Sequence, residues 1–177
     1  LPIVEHSSLK LDLYRRDFTI NTLAISLNKH TRGELIDFFG GQRDIKEKTI
    51  RVLHSLSFVE DPTRVFRAVR FERRFNFQIG KYTLNLIRNA MRMGFLSKIK
   101  GSRMWSELAL MLGEENPADI FKRLQELDLL KFVYPGLVFD AEKARLFKEM
   151  ETVLKWYRLL YKDKLNHTFY YLLGLVD

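Results

Sequence analysis

Residues 60–71 read Glu-Asp-Pro-Thr-Arg-Val-Phe-Arg-Ala-Val-Arg-Phe, an acidic pair and an arginine opening a helix whose other polar positions are nearly all arginine. Asp61 before Pro62 predicts the helix start. The aspartate oxygen can accept free N–H groups of the first turn, and proline at the first helical position loses no bond. Arg64 then lies one turn on, on the same face. A carboxylate offers only acceptors and a guanidinium only donors, so Asp61 and Arg64 side by side would present an edge able to pair with the Watson–Crick edge of a base. The plainer alternative is a helix cap with an (i, i+3) ion pair, which is a commoner feature.

Beyond Arg64 the helix carries two faces. Val65, Ala68, Val69 and Phe75 can face a core, while Arg67, Arg70 and Arg74 follow a spacing of three then four and form a stripe. Guanidinium groups so arranged could bind phosphates of a nucleotide tail or an RNA strand, with affinity falling steeply as salt rises. A solvated helix face is the alternative. From Arg64 to Arg103 eleven Lys or Arg residues stand against one acid, Glu72, so the basic excess behind the net charge of +8 sits there. A charge of that sign favours a polyanionic partner.

Composition sets wider limits. At 177 residues and 46% apolar content the chain can bury a real core, as one or two domains. No run of about 18 apolar residues predicts a membrane span. No charged-then-apolar leader opens the chain. Cysteine is absent, which excludes disulfides and thiolate zinc sites and fits a cytoplasmic protein. His6, His30, His54 and His167 show no metal-ligand spacing and read as surface or packing residues.

Three zones follow along the chain. Residues 1–53 mix strand-like pieces (Leu23–Leu27, Glu34–Phe38, Thr49–Val52) with a helical turn near Phe18–Thr22. The polar connection Asn28–Gly33 fits a hairpin. From 54 to 113 the pattern is helical: Asp61–Phe75, Lys81–Met93, and Ser102–Leu112, the last opening on a serine cap and closing at Gly113. From 114 to 177, helices are expected over Ala118–Leu127, Asp140–Tyr161, and from Leu165. Thr168–Asp177 is apolar nearly all round, as a buried helix would be, and favours association or a further region to cover it.

Two more blocks accompany the first: Arg15-Arg16-Asp17-Phe18-Thr19-Ile20-Asn21, and Asp37-Phe38-Phe39-Gly40-Gly41-Gln42-Arg43-Asp44. With Glu60-Asp61-Pro62-Thr63-Arg64, and in this order, they closely resemble the bacterial branch of the class II tRNA nucleotidyltransferase and poly(A) polymerase family, which builds or finishes the CCA end of tRNA. The resemblance runs from about Leu1 to about Gly113. It implies a mainly α chain with a partial α+β nucleotidyltransferase head (1–53), a helical neck carrying a nucleotide template (54–113), and the start of a helical body (114–177).

The roles that follow are what the resemblance implies. Asp17 would accept from the ribose 2′-hydroxyl, and Arg16 with Asn21 would help hold sugar or phosphate, beside Arg15. Asp61 and Arg64 would act as an amino-acid template for CTP or ATP, with Glu60 and Arg67 orienting that pair or reaching the nucleotide. Asp37, Gly40, Gly41 and Asp44 match the linking motif between head and neck, where paired glycines suit a hinge. A plain strand-to-helix turn fits the same residues. Arg103 and Glu107 match the neck pattern that braces the template helix, with Met104 in place of the usual aliphatic residue.

Nucleotidyl transfer in this family uses magnesium held by an Asp-x-Asp pair near the start of the head. No Asp-x-Asp occurs in this sequence. The expectation is therefore a piece of a longer protein, inactive alone, whose metal ligands lie outside the chain. The stretch Leu1–Asn21 is most similar to a bacterial subgroup that often carries CBS and DHH-type domains upstream and includes A-adding enzymes. That leans toward terminal A addition to the tRNA 3′ end, with full CCA addition close behind. A non-catalytic RNA-binding module is the alternative from another class.

Overall fold

The computed structural model describes residues 8–161 and 165–176. His6 and the opening Leu1–Ser7 of the family resemblance lie outside the described residues, as does Asp177. The architecture is mostly helical with two small two-stranded sheets. It starts with α1 (Leu9–Tyr14) and a 3-10 turn at Thr19–Asn21. Strands β1 (Ala24–Ile25) and β2 (Leu35–Ile36) then pair antiparallel, as the polar connection predicts, with Ala24 opposite Ile36. Helix α2 (Gly41–Lys46) leads into β3 (Thr49–Ile50).

The next pair of helices departs from the expected start. A short α3 (Ser57–Glu60) ends at Asp61, and α4 runs from Arg64 to Arg74. Asp61 is extended, with φ −143° and ψ 94°, and Pro62-Thr63 form the turn between the two helices. Asp61 still acts as a cap of that turn, since its Oδ1 accepts from the backbone N and the hydroxyl of Thr63 at 3.1 and 2.7 Å. Seven residues of α4 are buried, among them Phe66, Val69 and Phe71. Phe75, expected in the core, instead lies past the helix end, exposed and stacked on Phe71 at 5.6 Å.

After α4, strand β4 (Gln78–Ile79) pairs parallel with β3, a strand without the alternation that would mark it in the sequence. Helices α5 (Lys81–Arg92) and α6 (Gly101–Leu112) match their expected spans within a residue. The serine cap of α6 does not form: Lys100 is the capping residue and no side chain bonds the first turn. The remaining helices are α7 (Pro117–Glu126), α8 (Leu130–Val133), α9 (Ala141–Leu160) and α10 (His167–Val176). Asp140 caps α9 by accepting from Lys143 N at 2.9 Å.

One apolar cluster runs from Phe18 and Val52 through the α4 face to Phe121, Phe147 and Tyr171. Burying a side chain such as Phe66 or Phe121 contributes about 2–3 kcal/mol. The apolar α10 is half covered: Tyr171 and Leu175 are buried against α9 and α6, while Phe169 and Leu173 are about half exposed. No helix of the described residues is long and apolar enough to cross a membrane.

Candidate nucleotide-binding site

An open groove of about 510 Å³ lies where the Arg16–Asn21 turn, the start of α4 and one face of α6 meet. Its lining includes Arg16, Asp17, Asn21, Asp61, Arg64 and Arg67, so residues from distant parts of the chain share one surface. Thr63, Arg103 and Glu107 complete it.

Asp17 is the anchor of the first wall. Only 7% of its surface is exposed. Its Oδ1 accepts from Phe18 N at 2.9 Å and Asn21 Nδ2 at 2.8 Å. Its Oδ2 takes both Nε and Nη2 of Arg67, at 2.8 and 2.6 Å. Each oxygen thus already accepts two N–H groups, and a ribose hydroxyl would have to displace one of them. Arg16 reaches the carbonyl of Asn21 at 3.4 Å, and Arg15 pairs with Asp12 on the surface.

The template pair is not side by side. Because the helix begins at Arg64, Asp61 sits on extended backbone rather than on the helix face. Its partner is Arg103, whose Nη2 donates to Asp61 Oδ2 at 2.7 Å. Burial alone would push the Asp61 carboxyl up, but the Thr63 hydroxyl, Arg103 and the Thr63 backbone hold it below the usual carboxylate range. Arg64 donates to Ser57 Oγ and to the carbonyl of Arg15, both at 2.9 Å, and stands 3.7 Å from Glu60. Both residues still line the same groove.

The arginine stripe resolves into an internal network. Arg67 reaches Glu107 at 3.7 Å as well as Asp17, and although burial works against its charge, these two acids raise its pKa. Burial raises the Glu107 carboxyl above its ordinary value, against the pull of Arg67 and Arg70. Arg70, expected at a phosphate, is buried at 4% exposure and paired with Glu114 at 3.2 Å. Arg74, also expected there, is more exposed but holds the same Glu114 at 2.6 Å. Two of the acids that neutralise the stripe, Glu107 and Glu114, lie just past the window in which Glu72 is the one acid. Glu114 was missed for that reason.

The linking motif proves to be a cap and a brace. Asp37 accepts from the backbone N of Gly40, Gly41 and Gln42 at 2.8 to 3.0 Å, ahead of α2. Burial would raise its pKa, yet the backbone donors lower it. Gly40 has φ 78°, which favours glycine. Asp44 is fully buried, accepts from Thr19 Oγ1 at 2.6 Å, and lies 3.2 Å from Arg51. Glu60 is exposed near His54, which stacks on Tyr14 at 4.9 Å.

Among the described residues no group of three His, Cys, Asp or Glu is placed to hold a metal ion. These residues do not fit a magnesium site.

The arrangement is a mostly helical chain with two small sheets around a polar groove. Residues 3–51 match the family model described as the poly A polymerase head domain, and residues 76–140 match the model described as a probable RNA and SrmB-binding site of polymerase A. The chain belongs to the tRNA nucleotidyltransferase and poly(A) polymerase family. The whole chain is 54% identical to an A-adding tRNA nucleotidyltransferase of Geobacter sulfurreducens, and 99% of it is 39% identical to one of Aquifex aeolicus. It spans 20% and 22% of those two proteins. A solved tRNA nucleotidyltransferase, complexed with a primer tRNA and an incoming ATP analog, is similar over 98% of this chain and 51% of its own, with TM-score 0.87 and 38% identity.

Proposed function

We propose that this chain is the neck and adjoining head and body segments of a template-independent tRNA nucleotidyltransferase that adds the terminal adenosine to the tRNA 3′ end from ATP. The divisions near residues 53 and 113 belong to this reading, as do a cytoplasmic location, magnesium ligands outside the chain, and upstream CBS and DHH-type domains. One observation carries it: Asp61 and Arg64 line one groove with the Arg16–Asn21 turn. Adenine and cytosine both present an amino donor beside a ring-nitrogen acceptor, which an Asp acceptor and an Arg donor complement. Guanine and uracil present the reverse.

Arg67 ties the base wall to the sugar wall through Asp17. Asn21 and Arg16 then face sugar or phosphate, and Asp17 holds their geometry while ready to exchange a partner for the ribose hydroxyl. Similarity to two A-adding relatives supports adenosine over CCA addition.

The test is an extension assay on the intact protein with magnesium. ATP and CTP are offered separately to tRNA ending before CCA, after the first C, and after the second C. Extension only by ATP on the last substrate supports the reading. Use of CTP makes it a CCA-adding enzyme, and no extension leaves the RNA-binding module.

A further inference from the structure

Asp17 and Glu72 are buried carboxylates with donors on both oxygens: Asp17 has the four N–H groups described above, and Glu72 accepts from Ile79 N on Oε1 and from Arg123 Nε on Oε2. Glu107 is not supplied in this way. It stands on α6 in the groove wall with 8% of its surface exposed, and its Oε2 has no hydrogen-bond partner among the described residues. Arg67 Nη1 is 3.7 Å from its Oε1 and Arg70 Nη2 is 4.0 Å from its Oε2, both beyond hydrogen-bond distance. Arg70 is held by Glu114 at 3.2 Å. A carboxylate buried short of donors is costly until one arrives.

The donor nearest to hand is Arg67. Of the groups on Asp17, Phe18 N and Asn21 Nδ2 belong to its own turn and share Oδ1. The other two are Nε and Nη2 of Arg67, brought from α4 to the single oxygen Oδ2. Arg67 is therefore the donor that can leave without breaking the turn. Its remaining nitrogen, Nη1, is the one that faces Glu107. Closing that gap to an ordinary N–H···O distance of about 2.9 Å needs a movement of under about 1 Å. The guanidinium lies 5.5 Å from the centroid of the Phe71 ring, so an aromatic face supports it as it turns.

We propose that Glu107 is a second seat for Arg67, which exchanges Asp17 for Glu107 when a ligand hydroxyl takes Oδ2 of Asp17. That the ligand is a ribonucleotide rests on the function proposed above; the exchange of partners rests on the geometry. The 2′-hydroxyl donates to the freed Oδ2, Arg67 donates to Glu107, and no charged group is left buried and unpaired. Glu107 is thus a positioning residue for ribose over deoxyribose, acting through Arg67.

The test compares ATP and 2′-deoxy-ATP binding by the intact protein and by Glu107→Gln, which keeps the side chain's size and offers Arg67 a neutral amide. ATP affinity should fall about five- to tenfold, the difference between a charged and a neutral hydrogen bond. The affinity of 2′-deoxy-ATP, which has no hydroxyl to dislodge Arg67, should not change. Equal loss for both nucleotides makes Glu107 a brace of the helix and overturns the proposal, as does no change for either. A second measurement needs no nucleotide. In urea unfolding, Asp17→Asn and Glu107→Gln each leave Arg67 one carboxylate and the double variant leaves none, so the double should lose more stability than the two singles together. Additive losses overturn the exchange. A more-than-additive loss in a protein whose parent form binds ATP and 2′-deoxy-ATP alike sustains the exchange and removes the ribose reading of Asp17 instead.

Discussion

Arg103 on α6 donates a 2.7 Å hydrogen bond to Oδ2 of Asp61, a residue 42 positions earlier at the turn before α4. With Thr63 on Oδ1, this contact fixes the plane of the Asp61 carboxylate in the groove. Arg103→Ala leaves Oδ2 unaimed. Discrimination of ATP over GTP in the intact protein should therefore weaken, but by less than in Asp61→Ala. Nucleotide titrations of both variants check the order, and an equal or larger loss in Arg103→Ala would make Arg103 the base-contacting group.

Asp61→Ala removes the acceptor itself. Selectivity for ATP over GTP and UTP should fall by about 1–3 kcal/mol per lost base contact. Discrimination unchanged from the parent protein would sink the template idea.

Asp17 and Arg67 clamp the Arg16–Asn21 turn to α4, and Asp17 is nearly fully buried. Asp17→Ala leaves Arg67 with Glu107 alone at 3.7 Å and strands two N–H donors. Because Arg67 is about one-third exposed, water recovers part of the loss, and a destabilisation of about 2–3 kcal/mol is expected in urea unfolding. A cost under about 0.5 kcal/mol, the range of an ordinary surface change, would show that the clamp is not structural.

Asp37 gives a pH signature. Its carboxyl titrates below its ordinary 3.8 in the folded protein, so the stabilisation is fully present above about pH 4. It disappears as pH falls through the depressed folded value. Asp37→Ala should cost about 1–2 kcal/mol at neutral pH, and the difference from the parent protein should shrink below pH 4. Parallel unfolding curves down to pH 2 would contradict it.

Gly41 tests the packing of α2. A Cβ there would meet the carbonyl oxygen of Thr19 at 2.5 Å, and that oxygen belongs to the backbone of the turn beside Asp17. Gly41→Ala should destabilise by about 1–3 kcal/mol and weaken nucleotide binding as the turn shifts. Thermal melts and ATP titrations read the two effects.

Much of the fold was legible because its signals are local. The hairpin around Asn28–Gly33 shows in turn residues, and α5, α7 and α9 show in apolar periodicity and end signals. Strand β4 did not show, since two residues have no period and only their pairing with β3 makes them a strand. The start of α4 was misplaced because Asp-Pro can open a helix or sit in a turn before one, and the packing of α3 against α4 and α5 selects the turn.

The sequence by itself determined the family, because side-chain chemistry in the Arg15–Asn21 and Glu60–Arg64 blocks is written in order and spacing. Only the tertiary structure decided who pairs with whom. Asp61 faces Arg103 rather than Arg64, Asp17 takes Arg67, and Glu114 pairs with Arg70 and Arg74. The physical reason is that a charge is neutralised by whatever lies within about 4 Å in space, and the packing of α4 against the Arg16–Asn21 turn and α6 brings together acids and bases that sequence distance keeps 40 to 50 residues apart.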